Sequence, residues 1–166
     1  AYNDQTFRDD RIVPLHSIDT DLSIAELYHG RTLAFKDLAL SLFPYLLTAA
    51  KVQEEEKRDI LILTATSGDT GKAALEGFKD VNGTNIMVFY PSEGVSPMQK
   101  QQMQKQEGRN VCVSAIHGNF DDAQSFLKRV FTSEEVNAYA HDHGVLFSSA
   151  NSINIGRLFP QIAYYV

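Results

Sequence analysis

From residue 59 onward, apolar and polar positions alternate between two rhythms. Ile60-Leu61-Ile62-Leu63-Thr64-Ala65 is an unbroken β-favouring run, the pattern of a strand buried on both faces. Asn85-Ile86-Met87-Val88-Phe89-Tyr90 (ended by Pro91), Val111-Cys112-Val113-Ser114-Ala115-Ile116 and Val145-Leu146-Phe147-Ser148 repeat it. Helical segments lie between these runs. One falls around Gly71 to Asp80, and a polar one opens at Ser96-Pro97 and runs through Gln106. An amphipathic one spans Phe120 to Phe131 with Phe120, Ala123, Phe126, Leu127 and Val130 inward, followed by a short one from Ser133 to His141. A last long helix is expected to start at Ile155 and run on to Val166. Strand and helix in strict alternation predict an α/β fold, a three-layer αβα sandwich around a mostly parallel sheet. Such sheets bind ligands beyond the carboxyl ends of their strands, so the strand-to-helix turns are the places to look for chemistry.

The first third reads differently. Residues 1–26 form an irregular lead-in, with Val13-Pro14-Leu15 extended because proline disfavours a helical conformation in the residue before it. Ile24 to Tyr28 is a short strand leading to His29-Gly30. From Phe35 the pattern turns helical, with Leu38, Leu42, Leu46 and Ala49 at steps of four and three. Pro44 falls inside this helix and is expected to kink it or end its first half. Lys51 to Asp59 is a charged last turn and connection. The chain thus divides into 1–58, a lead-in plus the helix that begins at a lysine, and 59–166, a small α/β domain. It opens at Ala1 without methionine and stops at Tyr164-Tyr165-Val166 inside an apolar helical pattern, with no capping glycine or basic last turn. An internal piece of a longer polypeptide is the expectation.

Composition narrows the function classes. The 166 residues are 43% apolar and 22% charged, ordinary for a globular domain with a core of its own. Fifteen Lys and Arg against 21 Asp and Glu give a net charge of -6, and no basic stripe offsets it, which argues against nucleic acid as a partner. Cys112 is the single cysteine, so neither an internal disulfide framework nor a cysteine metal cluster is expected, and a reduced, cytoplasmic compartment fits. No signal peptide is visible. The longest apolar run, Leu38 to Ala50, is interrupted by Ser41, Pro44 and Thr48 and is too short for a bilayer. His117, His141 and His143 lack metal-ligand spacing and His16 is an isolated loop residue, so no metal is expected; His29 stands apart because it borders the lysine stretch.

Three stretches carry candidate chemistry. In His29-Gly30-Arg31-Thr32-Leu33-Ala34-Phe35-Lys36-Asp37, the lysine sits among Leu33, Ala34, Phe35 and Leu38. A desolvated amine has a lowered pKa and can form a Schiff base or act as a base. The alternative is a snorkelling lysine with its stem on the core and its ammonium in water, and these residues alone favour it. Thr64 to Lys72 forms a glycine-containing turn at a helix start, where free N–H groups, a positive dipole end and the hydroxyls of Thr66, Ser67 and Thr70 suit a carboxylate or phosphate. The alternative is a tight turn capped by Asp69 or Thr70. A nucleotide P-loop fits poorly, since Thr66 replaces its first glycine and Ala73 its magnesium-binding hydroxyl, and the next strand ends without a metal-binding aspartate. Ser148 to Arg157 is dense in serine and asparagine with an arginine just beyond, a donor set suited to phosphate, although such a turn can also spend these groups on its own backbone. Gly118 to Asp122 reads as a loop and helix start.

His29 to Asp37, Thr66 to Gly71 and Ser149 to Arg157, with a softer match at Phe120-Asp121-Asp122, together resemble the threonine synthase family, pyridoxal-phosphate enzymes of the tryptophan-synthase-β structural class (fold type II). The resemblance covers essentially the whole chain, as an internal portion of the enzyme. Asp69 suits it, because related cysteine-forming enzymes usually carry asparagine in that loop; Arg31 departs from the proline usual there. The resemblance implies that Lys36 holds pyridoxal 5'-phosphate as a Schiff base, with Phe35 and Asp37 as further cofactor-binding residues. It implies conversion of O-phospho-L-homoserine and water to L-threonine and phosphate. Ser67, Gly68, Asp69, Thr70 and Gly71 would hold the amino-acid end of the substrate, and Ser152, Asn154 and Arg157 would face its phosphate. Residues 1–58 would belong to the larger cofactor domain. The family's glycine-rich loop for the cofactor phosphate lies further along the polypeptide, so the remainder of the same chain is the implied partner, and these residues alone are expected to bind the cofactor weakly or not at all. Two alternatives stay open: a threonine-synthase-like phospho-lyase that releases phosphate without making threonine, and a non-catalytic phosphate-binding α/β module.

Overall fold

A computed structural model describes residues 1–165. The chain opens with an antiparallel hairpin, β1 (Leu15–Asp19) and β2 (Leu22–Ala25), followed by the helix α1 (Asp37–Gln53). The alternation then begins: β3 (Asp59–Ala65), α2 (Asp69–Phe78), β4 (Thr84–Pro91), α3 (Pro97–Gln104), β5 (Val111–Ile116), α4 (Phe120–Thr132), α5 (Glu134–Asp142) and β6 (Val145–Ser148). It closes with the one-turn helix α6 (Ile155–Leu158) and a 3₁₀ helix at Phe159–Tyr164. The main sheet is four-stranded and parallel throughout, in the order β5-β4-β3-β6, with Ile62 flanked by Ile86 and Ser148.

Side chains of β3 alternate between the two faces of the sheet, and both faces are covered. On one, Ile60 and Ile62 join Leu40 and Phe43 of α1, Leu75 and Phe78 of α2, and Met103 of α3. On the other, Leu63 and Ala65 join Phe89, Ala123 and Leu127, with Phe131 and Phe147 beside them. Each fully buried side chain of this size stabilises the fold by about 1.5–3 kcal/mol, which accounts for the unbroken apolar runs in the strands. This is the expected three-layer αβα sandwich. Phe126, expected inward on α4, is 38% exposed and meets the core only through an edge contact with Phe89.

Strand order decides where a ligand can sit. From β3 the chain steps outward to β4 and β5, then returns to pair β6 with the other edge of β3. The turns after β3 and β6 therefore lie side by side and bound a crevice at the carboxyl ends of these two strands. The turn at Thr66 and the turn at Ser149 face each other across it.

Three expectations need correction. The lead-in is not wholly irregular, because residues 15–25 form the hairpin. All of its strand residues are exposed, so no buried face imposes an apolar alternation that would mark it. Of the strand expected over 24–28, only Ile24 and Ala25 take part. Secondly, α1 runs through Pro44 as one helix. Proline has no N–H for the Leu40 carbonyl, and Gly77 of α2 lies against that oxygen: a Cβ there would sit 2.1 Å from it. The close crossing of α2 covers the group that Pro44 leaves unpaired, and only glycine permits it. Thirdly, the last long helix stops at Leu158 and gives way to 3₁₀ turns. Pro160 lacks the N–H and its ring clashes with the preceding turn, so the α-helical ladder cannot continue. Val166 lies outside the described residues.

Candidate functional site

Lys36 immediately precedes the first residue of α1, and the loop before it is held from behind. The Asp37 carboxylate accepts hydrogen bonds from the Thr32 N–H (2.8 Å) and the Thr32 hydroxyl (2.5 Å). Gly30 passes so close that a Cβ would lie 2.3 Å from Asp37 Oδ2. Leu33 is thereby held at φ 63°, a left-handed conformation costing about 1–2 kcal/mol for a non-glycine residue. Burial raises the Asp37 carboxyl pKa, with the Thr32 bonds pulling against it. Asp37 lines a small separate cleft of about 200 Å³ with Arg31 and Glu76, so the structure does not bring it together with the other expected site residues. Its role is to shape the loop that presents Phe35 and Lys36.

At the β3–α2 turn the helix cap differs from the Asp69 or Thr70 expected. Thr66, fully buried, accepts hydrogen bonds on Oγ1 from the N–H groups of Gly68 and Gly71, both at 2.9 Å. Gly68, at φ 147°, is the first flanking residue of α2 and lies against Gln99. Gly71 lies against Thr66 and Val88, with no room for a side chain. The N–H groups of Ser67, Asp69 and Thr70 take no acceptor among the described residues, at the positive end of the helix. Ser67 is exposed. The Asp69 carboxylate accepts from Gln99 Nε2 at 2.9 Å and lies 3.5 Å from Lys72 Nζ and 4.0 Å from Lys36 Nζ. Partial burial pushes its pKa up, but the Gln99 amide and the two ammonium groups outweigh that and leave it lowered. Lys72 is thus committed to Asp69 rather than held ready as a P-loop lysine.

Across the crevice, Asn151 clamps the two turns together. Its Nδ2 donates to the Ala65 carbonyl (2.9 Å) and its Oδ1 accepts from the Ala65 N–H (3.2 Å), while its own N–H donates to Ser149 Oγ. Asn154 caps α6 by accepting from the Gly156 N–H at 2.9 Å and donates to Ser148 Oγ. Arg157 is buried, 4% exposed, and its Nε and Nη1 take no acceptor among the described residues. Burial lowers the pKa of its guanidinium. An unpaired buried cation of this kind costs several kcal/mol unless something answers it.

These turns enclose a cleft of about 590 Å³, lined by Phe35, Lys36, Thr70, Ser149, Asn151, Ser152, Arg157 and Gln161 together with Phe120, Leu127 and Phe131 and the polar Gln124 and Lys128 of α4. Lys36 is 18% exposed, and its Nζ lies 4.3 Å from the centre of the Phe35 ring. Burial lowers the Lys36 pKa; Asp69 opposes the shift, and the positive charges of Arg157 and Lys72 reinforce it. Of the residues singled out from sequence, Phe35, Lys36, Thr70, Ser152 and Arg157 share the cleft, Asp69 touches it through Lys36, and Gly68, Gly71 and Asn154 shape its rim. Thr66, expected to offer its hydroxyl to an anion, instead spends it on the N–H groups of Gly68 and Gly71. Asn151 and Gln161 are the additions: Asn151 lay within the asparagine-rich turn, whereas no sequence signal marks Gln161. His29, set apart beside the lysine stretch, instead pairs with Glu26 at 2.6 Å at the base of the hairpin. No group of three potential metal ligands occurs among the described residues, and no helix there is long and apolar enough to cross a membrane.

No protein-family model matches the chain. The threonine synthase of Eremothecium gossypii is 39% identical over 96% of the chain, which covers 32% of that protein. The human protein named threonine synthase-like 1 is 35% identical over 97% of the chain, covering 22% of it. Among solved structures, the pyridoxal-phosphate-bound threonine synthase from Brucella melitensis superposes with a TM-score of 0.83 at 40% identity, over 97% of this chain and 33% of that one. Diaminopropionate ammonia lyase from Escherichia coli, at 17% identity and a TM-score of 0.53, shares the fold alone. The chain spans about a third of the length of the threonine synthases it matches. By sequence and by fold, it is therefore similar along nearly its whole length to one third of a threonine synthase, with the architecture of the fold type II pyridoxal-phosphate enzymes.

Proposed function

We propose that the chain supplies the cofactor lysine and the substrate-binding turns of a threonine synthase, which converts O-phospho-L-homoserine and water to L-threonine and phosphate with pyridoxal 5'-phosphate. One observation carries this reading: Lys36, an amine whose pKa burial has lowered, and Arg157, a buried guanidinium with unanswered donors, line the same cleft at the carboxyl ends of the strands. The residues fit the cofactor, since an aldehyde needs a neutral amine and the Phe35 ring offers an apolar wall beside it. When bound, pyridoxal phosphate supplies the carbonyl that Lys36 engages and an electron sink for carbanions. Residues 1–58 then belong to the larger cofactor domain and 59–166 to the smaller one, with the cofactor's phosphate loop coming from the remainder of the polypeptide. A cytoplasmic enzyme is in keeping with the single Cys112.

Each residue has a task in this reading. Lys36 Nζ holds the cofactor and, when free, is a base whose pKa burial lowers, which favours the neutral amine. Asp69, 4.0 Å away, stabilises the ammonium once Nζ has taken a proton. The free N–H groups of Ser67, Asp69 and Thr70 at the start of α2 receive the substrate carboxylate, in geometry set by Gly68 and Gly71. Arg157 answers the substrate phosphate and stabilises it as it leaves, with Ser152 at the mouth and Asn154 fixing the turn. Apolar side chains of α4 limit the access of water.

The test is the complete protein supplied with O-phospho-L-homoserine and cofactor. Phosphate and threonine should appear in equal amounts, and Arg157→Gln should raise KM about ten- to a hundredfold, the value of a hydrogen-bonded charge. Phosphate accompanied by 2-oxobutyrate instead would establish the phospho-lyase reading. Phosphate binding with no turnover would leave the non-catalytic module.

A further inference from the structure

Gln161 is 9% exposed and lines the cleft, yet its Oε1 has no hydrogen-bond partner among the described residues. Its Nε2 meets the Tyr164 hydroxyl. A buried amide oxygen left unpaired costs about 1–3 kcal/mol, so such atoms persist where a ligand or water completes them. Gln161 and Arg157 line the same cleft, and Arg157 carries the other unanswered buried polar atoms there.

We propose that the Gln161 side-chain amide is a second direct contact to the oxyanion that Arg157 binds, and so helps to set the preference of the cleft for a phosphate ester. The inference rests on the function proposed above and deepens it. A carboxamide carries both a donor and an acceptor, and a tyrosine hydroxyl can serve as either partner. With Oε1 toward the cleft, Gln161 accepts from a protonated phosphate oxygen. Turned over, it receives the Tyr164 O–H on Oε1 and offers Nε2–H to an ionised oxygen. Tethered at one end by Tyr164, the amide matches both protonation states of a phosphate monoester near neutral pH.

The experiment measures inorganic phosphate binding to the complete protein, as competitive inhibition of phosphate release and independently by calorimetry. Gln161→Leu should weaken phosphate about three- to tenfold, the value of one hydrogen bond, and raise KM for O-phospho-L-homoserine by a similar factor with a smaller change in kcat. Gln161→Glu, which keeps the shape but sets a carboxylate against the anion, should weaken phosphate further. Tyr164→Phe removes only the tether and should stay within about twofold of the parent, since neither ligand-facing atom is lost. The proposal is overturned if Gln161→Leu, or Gln161→Glu where the leucine variant fails to fold, binds phosphate like the parent. It is equally overturned if Tyr164→Phe reproduces the whole loss, because Gln161 then only braces the 3₁₀ helix. Should the parent release no phosphate from the substrate, the functional reading fails, while the calorimetric arm still decides the role of Gln161.

Discussion

At the scale of single residues, the site is an arrangement of charges whose burial is incomplete without a ligand. Lys36 stands between opposing influences: desolvation, Arg157 and Lys72 favour the neutral amine, and Asp69 favours the ammonium. The sign of each substitution follows. Asp69→Asn removes a stabilising anion, so the Lys36 pKa falls further and the pH profile of its reaction with an aldehyde moves to lower pH. Lys72→Met removes a repelling cation, so the profile moves to higher pH. In the parent, the midpoint should already lie below the ordinary lysine value of about 10.4. Titration of Lys36 modification in the complete protein, with Lys36→Ala as the blank, checks all three. A parent midpoint at or above the ordinary value would show that Lys36 is a solvated surface amine.

At the scale of elements, precision comes from turns that satisfy themselves. The start of α2 depends on Thr66, whose buried hydroxyl takes the N–H groups of Gly68 and Gly71. Thr66→Val preserves the shape and strands both donors, and should cost about 1–3 kcal/mol in urea unfolding; a loss within a few tenths would mean that other acceptors take over. Much of this level was legible in the chain. Short β-branched apolar runs bounded by turn residues read as strands covered on both faces, so the parallel sheet and the strand ends that bound the crevice followed from them. Partners distant in sequence were not legible. The Asn151 clamp on Ala65 and the Leu40–Gly77 contact join positions 86 and 37 residues apart, and the second of these lets α1 pass through Pro44. The hairpin was hidden for a different reason: exposed on both faces, it leaves no alternation to read. The final helix failed on a local rule, since Pro160 forbids what the apolar spacing of Ile155 to Val166 suggested. At the site itself, Lys36, Thr70, Ser152 and Arg157 share one cleft because each sits on a turn at the carboxyl end of the sheet or at the start of a helix beside it. Asp37 lines a different cleft, because adjacency to Lys36 says nothing about which way a carboxylate points.

At the scale of the molecule, the described residues carry large apolar side chains in water. Leu15 is 66% exposed, Ile18 60%, Phe159 64%, Ile153 82% and Ile155 75%. The last three lie in or beside the turn that carries Arg157, so the cleft is walled on that side by residues lacking their own packing. The 166-residue chain by itself should accordingly bind hydrophobic dyes and retain cofactor weakly or not at all, whereas the complete protein should hold it stoichiometrically. A stoichiometric visible cofactor band from the 166 residues alone would show that the cleft is self-sufficient. The central claim is that Lys36 is the cofactor lysine, and borohydride trapping of the complete protein loaded with pyridoxal phosphate, followed by peptide mass mapping, tests it most directly. The account predicts one pyridoxyl group per chain, on Lys36 and lost in Lys36→Ala. A chain that traps no cofactor, or traps it on another lysine such as Lys72, would contradict it.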